Sequence, residues 1–409
     1  MDIIRAINQA AGPFSNQSPS PIPNQPSGPS PKKARRCTVQ NNKIQLIEKL
    51  EQDSLNSDTG LVDLSASLTQ QLLVQLLVHG NPKAHIELFE LTQQTDPKVD
   101  ESDIEEIIKP DVDVWKQILG DKQRMELLTN LLEAIEVASK SGPLDKLFDA
   151  QFQMGSIFDE VGDLEKSTFY YSNALTIAKQ INDYTYEAKV KLHLGKVYKK
   201  MNAHMQAIQC FEDYMSIARS SNDIQGMIYA SQDLLEVYGR CGEIADQENK
   251  LTTSIEFYEK CIEVANIGRN ERAAAEARHK LGLLHYRLQH PLIALEFQTA
   301  YLAYCNEVND NLGKTKGHAA AAQVFNALGK PDGEIHHLES NLQVSKLLDK
   351  RTEANAYCKL GIAYTEQNQL EYATTYFERY YKLAVELQDP EMLAWAAINI
   401  GLTRAPSIL

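Results

Sequence analysis

An all-α chain, built as an α-solenoid of stacked helical hairpins with an N-terminal helical hairpin before it, is what this sequence predicts. Three observations carry the expectation. The stretch 188–218, AKVKLHLGKVYKKMNAHMQAIQCFEDYMSIA, puts Leu194, Gly195 and Tyr198 on one apolar helix and, after a short polar break, Ala207 and Phe211 on a second. The same frame returns as Gly155/Phe158/Ser167/Tyr171, Leu235/Tyr238/Ser254/Tyr258, Gly282/His285/Ala294, Ala322/Phe325/Gly329 and Gly361/Tyr364/Ala373/Phe377. The anchors 155, 195, 235, 282, 322, 361 and 401 lie 40, 40, 47, 40, 39 and 40 residues apart, the kind of period that marks repeat arrays.

The frame has a steric reason. A small residue in the first helix lets the second approach closely, and the aromatic three places on fills the space beside it. The Ala in the second helix is the reciprocal contact, with a ring one turn later on the same face. One hairpin cannot bury such a stripe alone, so copies must stack.

Taken in order, residues 1–40 form a Pro-rich arm, with seven prolines between 13 and 31, whose composition cannot build a core. Its basic run KKARR (Lys32 to Arg36) reads as an import signal, an anchor onto an acidic surface such as a tubulin lattice, or a solvated charge cluster. Residues 41–95 form an N-terminal helical segment in which Gly80-Asn81-Pro82 separates two apolar-periodic helices. Residues 96–113 carry eight carboxylates and read as an acidic linker, the alternatives being a recognition segment or a lid. Residues 114–143 look like a degenerate leading repeat, since Leu131 and Ala134 lie 40 before Tyr171 and Ala174. The solenoid proper runs over 144–402, and 403–409 reads as a frayed tail. Its junctions INDY, SNDI, VNDN and LQDP supply Asn and Asp for free helix ends. The 47-residue third unit places a seven-residue insertion, within GEIADQENKL, between its two helices. The last segment, LAWAAINIGL, reads as a lone capping helix with Trp395 and Ile398 facing inward.

Composition narrows the function classes. A net charge of −14 argues against a mainly nucleic-acid-binding surface. Six scattered cysteines without a C-x-x-C pair suit a reducing compartment. No stretch approaches the length of a membrane span, and the first residues are too polar for a secretory signal. Phosphate-binding glycine loops and H-E-x-x-H are absent, and His336-His337 are adjacent, so the pair cannot face one metal from one side of a helix. His279 and His285 lie six apart and point to different faces. The expectation is therefore no enzyme, no cofactor and no metal, in an intracellular, soluble protein.

The Gly-x-x-Tyr…Ala-x-x-x-Phe spacing resembles the tetratricopeptide repeat, in a long variant. In that repeat, first-helix positions near 2, 5, 9, 12 and 13 line the inner groove. Counted from the anchors, these give Lys189, Lys196, Lys199 and Lys200 in the second unit and Arg240 and Arg287 in the next two, a candidate seat for an acidic partner segment. The terminal-carboxylate clamp of the cochaperone version is not reproduced, because its positions hold Phe152, Ser156, Leu192 and Lys196.

The order HIELFEL, SIEFYEKCIEVA, AEARHKLGLLHY, GHAAAAQVFNALG and INIGLTRA, over roughly residues 72–405, resembles the axonemal branch of these proteins. That resemblance implies a non-catalytic adaptor of motile cilia or flagella, located in the axoneme and cytoplasm. Its partners would be an inner-arm axonemal dynein, an associated MYND-finger protein and the doublet microtubule surface, with no nucleic acid and no membrane. The alternative is a cytoplasmic signalling or polarity scaffold that binds acidic peptide segments.

Overall fold

Every junction of the stack is built from a residue that ends one helix and a residue that starts the next. In the computed structural model, which describes residues 68–93 and 121–404, the residue before the helix-starting position takes the left-handed conformation at most junctions. Asn182 (φ 60°), Asn222 (φ 55°) and Asn309 (φ 55°) do so between repeats, and Gly162, Asn202, Asn249, Gly329 and Asn368 within them. Asn and Gly reach this region at low cost. The following Asp183, Asp223 and Asp310 accept hydrogen bonds from the backbone N–H groups of Thr185, Gly226 and Gly313. Sequence reading saw Asn and Asp as interchangeable end-satisfiers. The structure divides the work, with Asn making the turn and Asp making the cap.

The elements among the described residues are all helices: α1 Leu68–Val78, α2 Pro82–Gln93, α3 Lys122–Ser141, α4 Leu144–Val161, α5 Leu164–Ile181, α6 Tyr184–Lys200, α7 His204–Ser220, α8 Ile224–Gln247, α9 Leu251–Ile267, α10 Glu271–Arg287, α11 Pro291–Glu307, α12 Asn311–Ala327, α13 Pro331–Ser345, α14 Lys350–Glu366, α15 Leu370–Leu387 and α16 Pro390–Arg404. The basic arm, residues 41–67 of the N-terminal helical segment, the acidic linker 96–113 and residues 405–409 of the tail lie outside the described residues.

Two compact units divide the chain, residues 1–82 and 83–409. The described part of the first is α1 and its exit turn. Gly80 at φ 75° lets the Asn81 N–H return to the Leu76 carbonyl (2.9 Å), closing the helix end.

In the second unit each helix from α3 onward packs against its successor, so the chain forms the all-α solenoid that the period predicts. The buried Glu136 of α3 accepts from the Ala84 N–H in the first turn of α2 (2.8 Å) and pairs with Lys140 (3.0 Å). A carboxylate from another helix thus caps α2 where its dipole favours negative charge. The Tyr170 hydroxyl of α5 donates to Glu87, tying α2 to the first full repeat. Burial, then Glu87, holds that hydroxyl protonated far above the ordinary tyrosine range.

The anchor glycines meet the ring sixteen residues later. A Cβ on Gly155 would lie 2.7 Å from Tyr171, on Gly195 2.6 Å from Phe211, and on Gly361 2.7 Å from Phe377. Tyr171, Phe211 and Phe377 are among the most deeply buried large side chains. In the fourth repeat Gln298 replaces the ring. It is fully buried, and its Nε2 donates to the His279 carbonyl (3.0 Å) while its Oε1 meets the His279 ring (2.8 Å). In the fifth the pair is reversed: Phe325 of the first helix packs onto Gly333 of the second.

The third repeat corrects the sequence reading. Its anchor is Gly242, whose Cβ would meet Tyr258 at 3.0 Å and whose carbonyl accepts from Ser254 Oγ at 2.8 Å, as the Gly155 carbonyl does from Ser167. The seven extra residues lie upstream of that anchor inside α8, a continuous helix of 24 residues where α6 and α10 have 17. They form no loop between the helices. Seven residues are about two turns, so the buried face returns with a drift of about 20°. That is why Leu235, one heptad before Gly242, passes for an anchor.

A second correction concerns α16. Its buried residues are Met392, Ala396 and Thr403, whereas Trp395 is 48% and Ile398 58% exposed. The inward face consists of Met392, Ala396 and Thr403, with Ala396 fitting closely against α15, and the two large side chains occupy groove-lining positions instead.

Candidate functional site

Among the described residues, clefts open on the first-helix face, and their lining follows the repeat register. One of about 440 Å³ is bordered by Lys199, Glu236, Gly239, Arg240 and Glu243 in the second and third repeats. Two more, of about 320 and 170 Å³, share Ala319, Gln323 and Lys359 and so form one depression along α10, α12 and α14. Counted from Gly282, Ala322 and Gly361, their lining includes the positions 2, 5 and 9 expected of a groove: His279, Leu283, Lys316, Ala319, Gln323, Asn355 and Ile362.

The six cations expected in the groove are largely engaged within the chain. Lys199 pairs with Asp233 (2.9 Å) and Glu236 (2.8 Å) of α8, and Lys200 pairs with Asp159 (2.6 Å) of α4. Burial opposes the Lys199 charge, but its two carboxylates outweigh it and raise the pKa above the ordinary lysine value. Arg287 pairs with Asp246 and donates to Asn249 (3.0 Å). Arg240, which the Gly242 register moves off position 13, pairs with Glu243 on its own helix (3.5 Å). Lys189 lies over the Phe152 ring, 4.3 Å from its centre, a cation–π contact. Lys196 has no ion pair among the described residues and stands near His193, whose pKa is lowered first by burial and then by that lysine.

These pairs form a ladder. Acidic α4, basic α6, acidic α8 and the basic end of α10 alternate, and the partners lie 34 to 41 residues apart in sequence. Each exposed rung is worth about 0–1 kcal/mol, so the ladder sets the alignment of successive first helices more than it adds stability. The Asn326–Glu366 hydrogen bond (2.9 Å) continues it from α12 to α14.

The character of the face changes along the stack. Past the charged ladder comes a depression lined by amides, His279, Lys316, Lys359 and the Asn326-bonded Glu334 and Glu366, and then an apolar end made of Ile362, Trp395, Ile398 and Leu402, 38 to 65% exposed. Trp395 Nε1 donates to Cys358 Sγ (3.3 Å), which seats the indole against α14. Lys316, Lys359 and Trp395 were not among the residues chosen from the sequence. The same position count, carried past the first cations to Ala322, Gly361 and Gly401, finds Lys316 and Trp395; Lys359 sits one place beyond position 5. Among the described residues no group of three or more His, Cys, Asp or Glu is placed to hold a metal ion. No described helix is long and apolar enough to cross a membrane.

Stacked hairpins with this small-residue-and-ring contact and a first-helix groove define a tetratricopeptide-repeat solenoid, a protein-interaction scaffold. The family model described as tetratricopeptide repeat matches residues 235–267, from mid-α8 to the end of α9. Among curated proteins, the chain is similar to tetratricopeptide repeat protein 29 of Macaca fascicularis, 20% identical over 353 residues, covering 84% of this chain and 73% of that protein. The Trypanosoma brucei brucei protein of the same name is 22% identical over 337 residues, covering 82% and 67%. The chain folds as a tetratricopeptide-repeat solenoid and is similar to these relatives over 82 to 84% of its length. Among solved structures, a STAND ATPase with a tetratricopeptide-repeat sensor from Pyrococcus horikoshii gives a TM-score of 0.40 at 12% identity, covering 72% of this chain and 42% of that one. YrrB, a TPR protein with an unusual peptide-binding site, gives 0.35 at 15%, covering 56% and 97%.

Proposed function

We propose that this scaffold is a non-catalytic adaptor of the axoneme of motile cilia or flagella, binding and helping to dock or stabilise an inner dynein arm. The observation that supports it most is the similarity to tetratricopeptide repeat protein 29, sustained over 82 to 84% of the chain in a macaque and a trypanosome relative. In this reading the partners are the inner-arm dynein, an associated MYND-finger protein and the doublet microtubule surface. The ion-pair ladder fixes the spacing of the first helices, so the groove holds a partner segment in a set geometry rather than reshaping around it. Within α6, Lys189 and Lys196 are the lysines not paired with carboxylates among the described residues. The chain is held in the axoneme, with a cytoplasmic pool before assembly.

Stepwise salt extraction of detergent-treated axonemes carrying a tagged chain tests this. The chain is expected to resist detergent and to leave with an inner-arm dynein heavy chain at the same salt step. Full release by detergent, with no dynein in its fractions, overturns the axonemal reading and leaves the scaffold.

A further inference from the structure

We infer that the depression on the fourth to sixth repeats, together with the apolar end of the stack, is a binding site for an extended partner peptide in which an acidic residue is followed by apolar ones. The carboxylate is received by Lys316 and Lys359, and the apolar side chains lie on Ile362, Trp395 and Ile398. The inference rests on the reading of the chain as a partner-binding scaffold, not on which cell structure holds it.

Charge complementarity selects this occupant. Lys199 and Arg240, which line the other cleft, are already paired with Asp233, Glu236 and Glu243. Lys316 and Lys359 line one cleft of about 320 Å³ from facing helices, and neither is within ion-pair distance of a carboxylate among the described residues. Gln323 and Asn355 in the same lining supply amide donors and acceptors, which suit a peptide backbone. The Lys359 side chain reaches solvent, yet its ammonium sits among enough protein atoms that desolvation lowers its pKa below the ordinary lysine value. A desolvated cation without a partner gains from an incoming carboxylate, through a charge-assisted hydrogen bond.

The apolar part is continuous with it. Ile362 lies on the next turn of α14 after Lys359, and Trp395 is seated on Cys358, the residue before it. Trp395, Ile398 and Leu402 occupy positions 2, 5 and 9 counted from Gly401, so they extend the same groove onto α16. A run of exposed large apolar side chains beside a cleft is the mark of a binding surface.

The test is phage display of a randomised dodecapeptide library on the immobilised full chain, followed by fluorescence anisotropy with fluorescein-labelled copies of the enriched peptides. Enriched peptides are expected to carry Asp or Glu beside an aliphatic or aromatic residue. Their affinity should fall at least tenfold in Lys316→Glu, Lys359→Glu and Trp395→Ser, and change less than twofold in Lys179→Glu, an exposed position on α5 outside the groove. Thermal midpoints of the two lysine variants should match the unchanged chain, since no described ion pair is broken; Lys→Gln variants replace any that unfolds. No enrichment, enrichment of basic or uncharged peptides, or equal binding to the lysine variants overturns the inference. None of these results bears on co-extraction with dynein, so the two readings fail separately.

Discussion

Adding one methyl group at two glycines should move stability in opposite directions. A Cβ on Gly195 lands 2.6 Å from Phe211 Cε1, on a ring that is fully buried. Carbon atoms in contact sit at about 3.5–4.0 Å, so the overlap is about 1 Å and α7 must move away from α6. Overpacking of this kind costs about 1–3 kcal/mol. Replacing a mid-helix glycine returns about 1 kcal/mol of helix propensity. Gly195→Ala is therefore expected to be destabilising, by up to about 2 kcal/mol. Gly239, in the interior of α8, has nothing within 4 Å of its Cβ position. Only the propensity gain remains, and Gly239→Ala should stabilise by about 1 kcal/mol. Gly242→Ala, with a looser 3.0 Å approach to Tyr258, should fall between them. The assay is urea unfolding followed by circular dichroism, with hydrogen exchange reporting α6 and α8 separately because long arrays lose all-or-none behaviour. Gly195→Ala as stable as the unchanged chain, or both variants shifting the same way by similar amounts, would refute the close-approach account.

Three further outcomes follow from single contacts. Asp223→Ala removes the cap on Gly226 N–H (2.9 Å) and should cost about 1 kcal/mol, read as faster exchange in the first turn of α8. Ser254→Ala removes the buried bond to the Gly242 carbonyl (2.8 Å) and should also cost about 1 kcal/mol, where the same change at exposed Ser216 should cost nothing measurable. His337 packs between Phe325 and His318, and burial, then His318 and His336, push its pKa down from 6.5 to about 4. The unfolded chain then binds a proton that the folded chain refuses, so stability falls as pH drops from 6.5 toward 4. His337→Phe should flatten that part of the pH–melting curve relative to the unchanged chain.

The period made the fold legible, because sterics impose the small-residue-and-ring contact once per hairpin. Gly155, Gly195, Gly282 and Gly361 were readable for that reason. The third repeat was misplaced because a seven-residue insertion nearly preserves a helix face, so Leu235 and Gly242 present similar patterns and only the contact with Tyr258 decides. Trp395 and Ile398 were assigned inward on hydrophobicity. The structure turns them outward, since α15 accepts Ala396 at the close approach. The lysines of α6 were visible as a cluster, but their partners Asp159, Asp233 and Glu236 lie one repeat away on either side, beyond what local spacing shows. The site residues that spacing did reveal lacked their context, and Lys316 and Lys359, one repeat apart on α12 and α14, gave no local cluster to notice.

Cross-linking mass spectrometry on the tagged full chain in isolated axonemes tests the adaptor account most directly. Lysine links from Lys316 and Lys359 to one segment of an inner-arm dynein, with fewer from the internally paired Lys199 and Lys200, are the predicted result. A chain found only in the soluble cell body, or one whose links run to cortical or signalling proteins, would contradict it.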